Sequence, residues 1–392
     1  MDLRHSRRVR RQAIAVGMVG LFWLTACSSP AVDAGAKVAA KSPCQSSPQV
    51  LESLGPKISA EITKEFESSY TDEFHNVQAV LVSVCGKMVL ERYMKSTASD
   101  FHDVASVTKS VTSTLVGMAL AEGSIKSLDQ TLAQLLPQHL KDMTAPVAAI
   151  TLRQLLTMTA GLDEDRPDGS TGPWLESTNF VRGILREGVH RPPGHQFGYS
   201  SGTAHLLAAI VVQATGRPLL DYARDKLFDP LGIVTRPAAQ PLFVTGMEAA
   251  WEKAGFAWPV DHQGINMGGV HLKMRPRDMV KLGQLYLDGG RWNGKQILPA
   301  AWVRDATTAR VWAGGFGGRS YGYGYQWWVT TAGKDPAFAA VGFGGQLIEV
   351  VPRLKLVVVF STKFNNSDAP ATVGFDVLEA MVTRIIAPAV AP

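Results

Sequence analysis

Three observations in the sequence predict an α+β fold: one antiparallel sheet assembled from both ends of the chain, flanked by helices, with a mainly helical insertion between its halves. Val77–Val84 and Lys87–Tyr93 are apolar, β-branched runs that flank Cys85-Gly86, the pattern of a hairpin. Residues 323–329, Gln346–Val351 and 356–361 are short runs of the same kind near the other end, parted by turn residues. The stretch between the two sets spaces its apolar residues helically instead, with helices expected at about 106–121, 151–158, 204–213, 219–228 and 277–287. A helix over about 49–69 precedes the first strand, and another over about 373–386 closes the chain.

At 392 residues, 46% of them hydrophobic, the chain can bury a large core as one big domain or two interlocked ones. The folded body is placed at 49–392, with a helical subdomain over about 106–290. Ahead of it, Arg4, Arg7, Arg8, Arg10 and Arg11 lead into an apolar run from 13 to 24 that is too short for a stable bilayer span. Residues 1–26 therefore read as an export signal. Its end, Leu24-Thr25-Ala26-Cys27, resembles the bacterial lipobox, so Cys27 is expected to carry lipid and hold the protein on a membrane of the cell envelope. Arg7-Arg8 also hints at twin-arginine export, but Arg10-Arg11 interrupt the apolar residues that should follow, and the route stays open. Residues 27–48, mostly Ala, Ser, Pro, Lys and Gln, suit a tether.

Loss of the signal removes those five arginines and Asp2, so the formal charge falls from +5 to +1 and gives no reason to expect nucleic acid as a partner. With Cys27 assigned to lipid, Cys44 and Cys85 remain in an oxidising compartment, and nothing in the sequence fixes whether they pair. No Cys/His spacing resembles a zinc site, so no metal is expected. The glycine clusters at 314–318 and 342–345 lack the Lys-Ser/Thr of a phosphate loop, and no cofactor is implied.

Two serines compete for the role of nucleophile. Gly198-Tyr199-Ser200-Ser201-Gly202 fits the G-x-S-x-G elbow, which needs a buried strand running straight into the turn. Its lead-in contains Pro192 and Pro193, which argue against an interior strand. Ser106 is the better candidate. In Ser106-Val107-Thr108-Lys109 the i to i+3 spacing puts the amine one turn along from the hydroxyl on the same helix face, and Val111, Leu115 and Met118 continue the helix. A helix N-terminus there also favours the negative charge that develops in acyl transfer. Alone, S-x-x-K is common, and its bland alternative is a solvated helix start.

The company of the motif is more specific. Ser106-Val107-Thr108-Lys109 is followed by Ile150-Thr151-Leu152-Arg153-Gln154-Leu155-Leu156-Thr157-Met158-Thr159-Ala160-Gly161-Leu162 and by Pro193-Gly194-His195-Gln196-Phe197-Gly198-Tyr199-Ser200-Ser201-Gly202. Further on come the segment from Gly289 to Pro299 and Gly342-Phe343-Gly344-Gly345-Gln346. From about residue 75 onward the chain resembles the β-lactamase-related serine hydrolases, a group with class C β-lactamases, D-alanyl-D-alanine peptidases, family VIII esterases and 6-aminohexanoate-dimer hydrolases. The resemblance implies a β-lactamase/transpeptidase-like fold. It also makes Tyr199, not Ser200, the important residue of its segment. The family's Tyr-x-Asn is here Tyr199-Ser200-Ser201, so Ser201 replaces the amide, similar to the aminohexanoate-hydrolase-like and esterase-like branches. The third motif, Lys-Thr-Gly or His-x-Gly, is matched by Ala340-Val341-Gly342, which keeps the glycine and loses the cation. The carboxylate of a β-lactam or of a D-Ala-D-Ala peptide then has one partner fewer.

By the same resemblance, Ser106 attacks a carbonyl carbon and forms an acyl-enzyme, with Lys109 or Tyr199 taking the serine proton. The backbone N–H groups of Ser106 and Phe343 form the oxyanion hole, and Ser201 and Gly342 contact the substrate. Trp174, Tyr321, Tyr323, Tyr325, Trp327 and Trp328 are candidates for an apolar cleft wall, although each taken singly belongs in a core. Hydrolysis of a small-molecule amide or ester is the expected activity. The alternatives are a D,D-peptidase or class C-type β-lactamase, and an inert envelope lipoprotein that only binds peptidoglycan or a partner. Intact Ser106, Lys109 and Tyr199 weigh against the last.

Overall fold

A computed structural model describes residues 43–45, 47–68, 74, 76–165, 172–243, 247–316, 319–363 and 374–391. The expected signal at 1–26, Cys27 and most of the 27–48 tether lie outside the described residues. Among the described residues, no helix is long and apolar enough to cross a membrane.

The central sheet has eight strands: β1 (Val77–Val84), β2 (Lys87–Tyr93), β3 (Val311–Phe316), β4 (Arg319–Tyr323), β5 (Trp328–Ala332), β6 (Asp335–Gly342), β7 (Gln346–Val351) and β8 (Leu356–Thr362). Their order in space is β2-β1-β8-β7-β6-β5-β4-β3, antiparallel throughout. Every neighbour is consecutive in sequence except β1 and β8, where Val80 faces Phe360 and Val84 faces Leu356. That pairing joins the chain ends, as expected. The β1–β2 hairpin turns at Cys85 (φ +54°) and Gly86 (φ +75°), the paired positive angles of a type I′ turn. Cys85 is bonded to Cys44 with their Cα atoms 5.6 Å apart, which answers the question the sequence left open.

Both faces of the sheet are covered, so its central strands are apolar on both sides. In β8, Val357 and Val359 join one core while Leu356, Val358 and Phe360 join the other. The helices that matter are α1 (Pro48–Ser68), α2 (Val107–Ala121), α3 (Leu152–Leu156), α4 (Ser201–Thr215), α5 (Pro276–Leu287) and α6 (Phe375–Met381). Leu51, Leu54, Ile58 and Ile62 form an apolar stripe on α1 that packs with Leu378 and Met381 of α6 on one face. The other face carries α2, α5 and the helical material between them.

Helix α2 is buried nearly all round, between the sheet and α4, although its sequence is rich in Ser and Thr. Burial is tolerable because the hydroxyls have partners. Thr112 donates to the Gly268 carbonyl, Ser110 to Gln326 and Ser113 to Tyr325. These bonds fasten two distant loops to the helix that carries Ser106 and Lys109.

Two expectations need correction, and one strand was not expected at all. The run 323–329 is no single strand: it splits at a turn where Gln326 has φ +63°, and β4 and β5 fold back on each other. Strand β3 escaped notice because Gly314 and Gly315 dilute its β-forming residues. The helix expected over 219–228 is present over that whole range, its first part, Leu219–Ala223, α-helical and its second, Arg224–Phe228, wound as a wider π-helix. The helix expected over 151–158 covers only Leu152–Leu156, because Met158 adopts φ +57°.

Candidate active site

The site begins with a bend. Ala105 has φ +44°, the left-handed region that a residue with a Cβ seldom enters, and it delivers the chain sharply into α2 at Ser106. Neighbours over-determine the bend. Asp103 accepts the Ala105 N–H at 2.7 Å through one oxygen and meets Nδ1 of His271 at 2.8 Å through the other. The Thr108 hydroxyl donates to the Ala105 carbonyl at 2.6 Å and accepts the Leu272 N–H at 3.2 Å.

Lys109 is 1% exposed, so the helix start is not a solvated one. Its Nζ lies 3.0 Å from Ser106 Oγ, 3.0 Å from Ser201 Oγ and 3.1 Å from the Gly269 carbonyl oxygen. Burial disfavours the ammonium and lowers its pKa to about 8, against the opposing charge of Asp165.

Tyr199 precedes α4. The Gly198 N–H donates to the Met158 carbonyl at 2.8 Å, and the Tyr199 carbonyl accepts the Asp165 N–H at 2.9 Å. Lys109 Nζ sits 4.6 Å from the centre of the tyrosine ring, and the phenol is hydrogen-bonded with Ser106. Burial pushes that phenol well above its ordinary pKa, more than the Ser106 bond lowers it. Trp328 stacks on the ring at 5.8 Å, and Phe197 and Tyr323 complete an aromatic group around it.

The competing serine has a different task. Ser200 is the N-cap of α4, its Oγ accepting the Thr203 N–H at 3.0 Å, and no strand leads into it. Ser201 instead faces Lys109. Its backbone N–H and its hydroxyl both donate to Asp165, at 2.9 and 2.6 Å. Asp165 is a residue of the candidate site that the sequence reading missed. The one available signal was three adjacent acids, Asp163-Glu164-Asp165, just after the segment ending in Gly161-Leu162.

At the end of β6, a Cβ on Gly342 would stand 2.3 Å from the Val104 carbonyl oxygen and 3.1 Å from the Ala105 Cβ. The missing side chain lets the strand end touch the bend before Ser106, with Phe343 the next residue. Ala340 is buried in β6. Of the aromatic candidates, Tyr323 and Trp328 adjoin Tyr199, whereas Trp174 packs on Phe180 and His205, and Tyr325 and Trp327 on Trp302 and Tyr286. Tyr321 donates to Glu379. Among the described residues, no cluster of three or more His, Cys, Asp or Glu is placed to hold a metal ion.

The family model Beta-lactamase matches residues 75–380. The 6-aminohexanoate-dimer hydrolase of Paenarthrobacter ureafaciens is 25% identical over 81% of this chain and 79% of its own. Protein flp of Staphylococcus aureus is 25% identical over 37% of this chain, a match that spans only 30% of that protein. A penicillin-binding protein homologue from Caulobacter crescentus superposes with a TM-score of 0.62 at 18% identity, covering 86% of this chain and 98% of the other. The eight-stranded sheet with helices on both faces is the β-lactamase/transpeptidase-like fold, and the chain belongs to the Beta-lactamase family, whose members are hydrolases.

Proposed function

We propose that this chain is a serine hydrolase that cleaves an amide or ester bond of a small molecule through an acyl-enzyme on Ser106. The observation that carries this is the buried Lys109 amine, 3.0 Å from Ser106 Oγ. With a pKa of about 8 it is a free base in about one molecule in ten at pH 7. The Tyr199 phenol, held above its ordinary pKa, keeps its proton. Lys109 is therefore the base and Tyr199 a donor.

In the first step the Ser106 proton passes to Lys109 while Oγ bonds to the carbonyl carbon. The oxyanion that forms lies between the Ser106 and Phe343 N–H groups, an arrangement worth roughly 3 to 4 kcal/mol per donor. Collapse breaks the bond to the leaving nitrogen or oxygen, which receives the proton held by Lys109, either directly or by way of Tyr199, whose phenol is reprotonated by Lys109 as it donates, so the amine is neutral again. Water, activated by the same amine, then releases the acid.

A substrate without a carboxylate beside the scissile bond is favoured, because 340–342 supplies no cation. The 25% identity to a 6-aminohexanoate-dimer hydrolase supports a linear amide among the candidates. The test is hydrolysis of p-nitrophenyl butyrate, nitrocefin and the 6-aminohexanoate dimer beside Ser106→Ala, with the rate rising with pH through about 8 as Lys109 loses its proton. Turnover of nitrocefin alone would favour the β-lactamase alternative. Turnover of none, with no acylation of Ser106, would favour the binding lipoprotein.

We also propose attachment to an envelope membrane through Cys27. The Cys44–Cys85 disulfide supports an exported location. Cys27→Ala is expected to move the protein from the membrane fraction to the soluble one, and an unchanged distribution would refute the anchor.

A further inference from the structure

We infer that Asp165 is a positioning residue: by holding the hydrogen of the Ser201 hydroxyl, it directs the free electron pair of Lys109 at Ser106. The inference rests on the acyl-enzyme reading above and deepens it.

Donors and acceptors decide the arrangement. A carboxylate only accepts, so the hydrogen in the 2.6 Å contact between Ser201 Oγ and Asp165 Oδ2 belongs to the serine. With that hydrogen committed, Ser201 Oγ offers Lys109, 3.0 Å away, nothing but lone pairs. The Gly269 carbonyl, 3.1 Å from Nζ, is likewise an acceptor only. Lys109 must therefore spend an N–H on each of them in either charge state. A neutral amine has only two N–H bonds, and both are now taken. Its remaining tetrahedral position, the electron pair, is left for the third neighbour, Ser106 Oγ at 3.0 Å. The amine is thus a base aimed at the nucleophile.

Without the carboxylate the Ser201 hydroxyl is free to turn, donate to the amine and occupy that same pair. Asp165 cannot easily swing away. Its own N–H is tied to the Tyr199 carbonyl at 2.9 Å, and its second oxygen accepts the Ser201 N–H at 2.9 Å. Among the described residues, titratable groups beside them include Tyr199, whose ring lies 4.6 Å from Nζ, and Tyr323 of β4, which faces Tyr199. His271, two residues past Gly269, turns away to Asp103.

The experiment follows the rate of Ser106 acylation by a fluorophosphonate from pH 5 to 10, with thermal unfolding of each variant alongside. It compares the parent chain with Ser106→Ala, Asp165→Asn, Ser201→Ala and the double variant. In Asp165→Asn the amide oxygen would still accept the Ser201 N–H, while the amide nitrogen would donate to Ser201 Oγ. The plateau rate is expected to fall about ten-fold or more. The rising limb, near pH 8 in the parent, should move to lower pH, because Asp165 no longer favours the ammonium. In the Ser201→Ala background there is no hydroxyl to direct, so adding Asp165→Asn should cost the plateau little more. An unchanged plateau in Asp165→Asn, or the same loss in both backgrounds, would overturn the inference. Should Asp165→Asn fail to fold, Ser201→Ala decides alone, and a parent-like plateau there would overturn it. Labelling that survives Ser106→Ala would instead sink the acyl-enzyme reading itself.

Discussion

Ser106 and Ser200 differ in what surrounds them more than in the motifs that contain them. Ser106 has an amine within reach, whereas the Ser200 hydroxyl caps a helix that would otherwise begin with an unpaired N–H. Ser200→Ala is therefore expected to keep full fluorophosphonate labelling while costing about 1 kcal/mol of stability, read by urea unfolding. Lost labelling with unchanged stability would return the elbow to consideration. The triplet Ser106, Lys109 and Tyr199 was legible because its members lie in short motifs whose local geometry a helix or a turn dictates. Asp165 was not. Its meaning depends on a loop that meets Ser201 only after the chain has folded, and a lone acid in an acidic run reads as solvated surface. The proposed choice of Lys109 over Tyr199 as base was equally invisible, since it rests on burial and burial is a property of the fold.

At the scale of elements, α2 and the end of β6 must touch for Ser106 to face Phe343. Gly342 permits that approach. Gly342→Ala puts a methyl group 2.3 Å from the Val104 carbonyl oxygen, so the strand end must retreat from the bend. A displacement of about 1 Å in a catalytic geometry costs up to about 100-fold, and acylation of Ser106 by the fluorophosphonate is expected to slow by about 10- to 100-fold. A parent-like rate would show that the strand end is not part of the site. The β1–β2 hairpin and α2 were readable from pattern and turn chemistry. Strand β6 was visible only at its last three residues, through the family motif, because Pro336 and four alanines and glycines in 335–342 obscure its β character. Strands β4 and β5 merged into one run because Tyr325 and Trp327 lie in the intervening turn and continue the aromatic pattern, and only Gln326 at φ +63° betrays the turn.

Over the whole molecule, the sheet is a two-strand unit and a six-strand meander joined at β1 and β8, with most of the helical residues threaded between them in sequence. The predicted architecture was legible because strands at both ends with helices between admit few economical sheets. One feature of this sheet was not: Glu349 of β7 lies among Leu347, Ala339 and Val358, wholly buried, with neither carboxyl oxygen hydrogen-bonded among the described residues. Burial, and next the nearby Glu379, push its pKa well above the usual carboxylate range, so the fold keeps the proton. The unfolded chain releases that proton above about pH 4.5, and stability is lost as pH rises from there towards the raised folded value. Glu349→Leu removes the dependence. Its stability advantage in urea unfolding should grow above about pH 5, by at most about 1.4 kcal/mol per pH unit while the buried carboxyl keeps its proton, and a difference independent of pH would refute the protonated carboxyl.

The central claim is that Ser106 is the residue acylated. It is tested most directly by treating the protein with a fluorophosphonate and locating the adduct by tandem mass spectrometry. One adduct per chain, on Ser106 and absent from Ser106→Ala and Lys109→Ala, is the predicted result. An adduct on Ser200 or Ser201, or none on any serine of the folded protein, would contradict it.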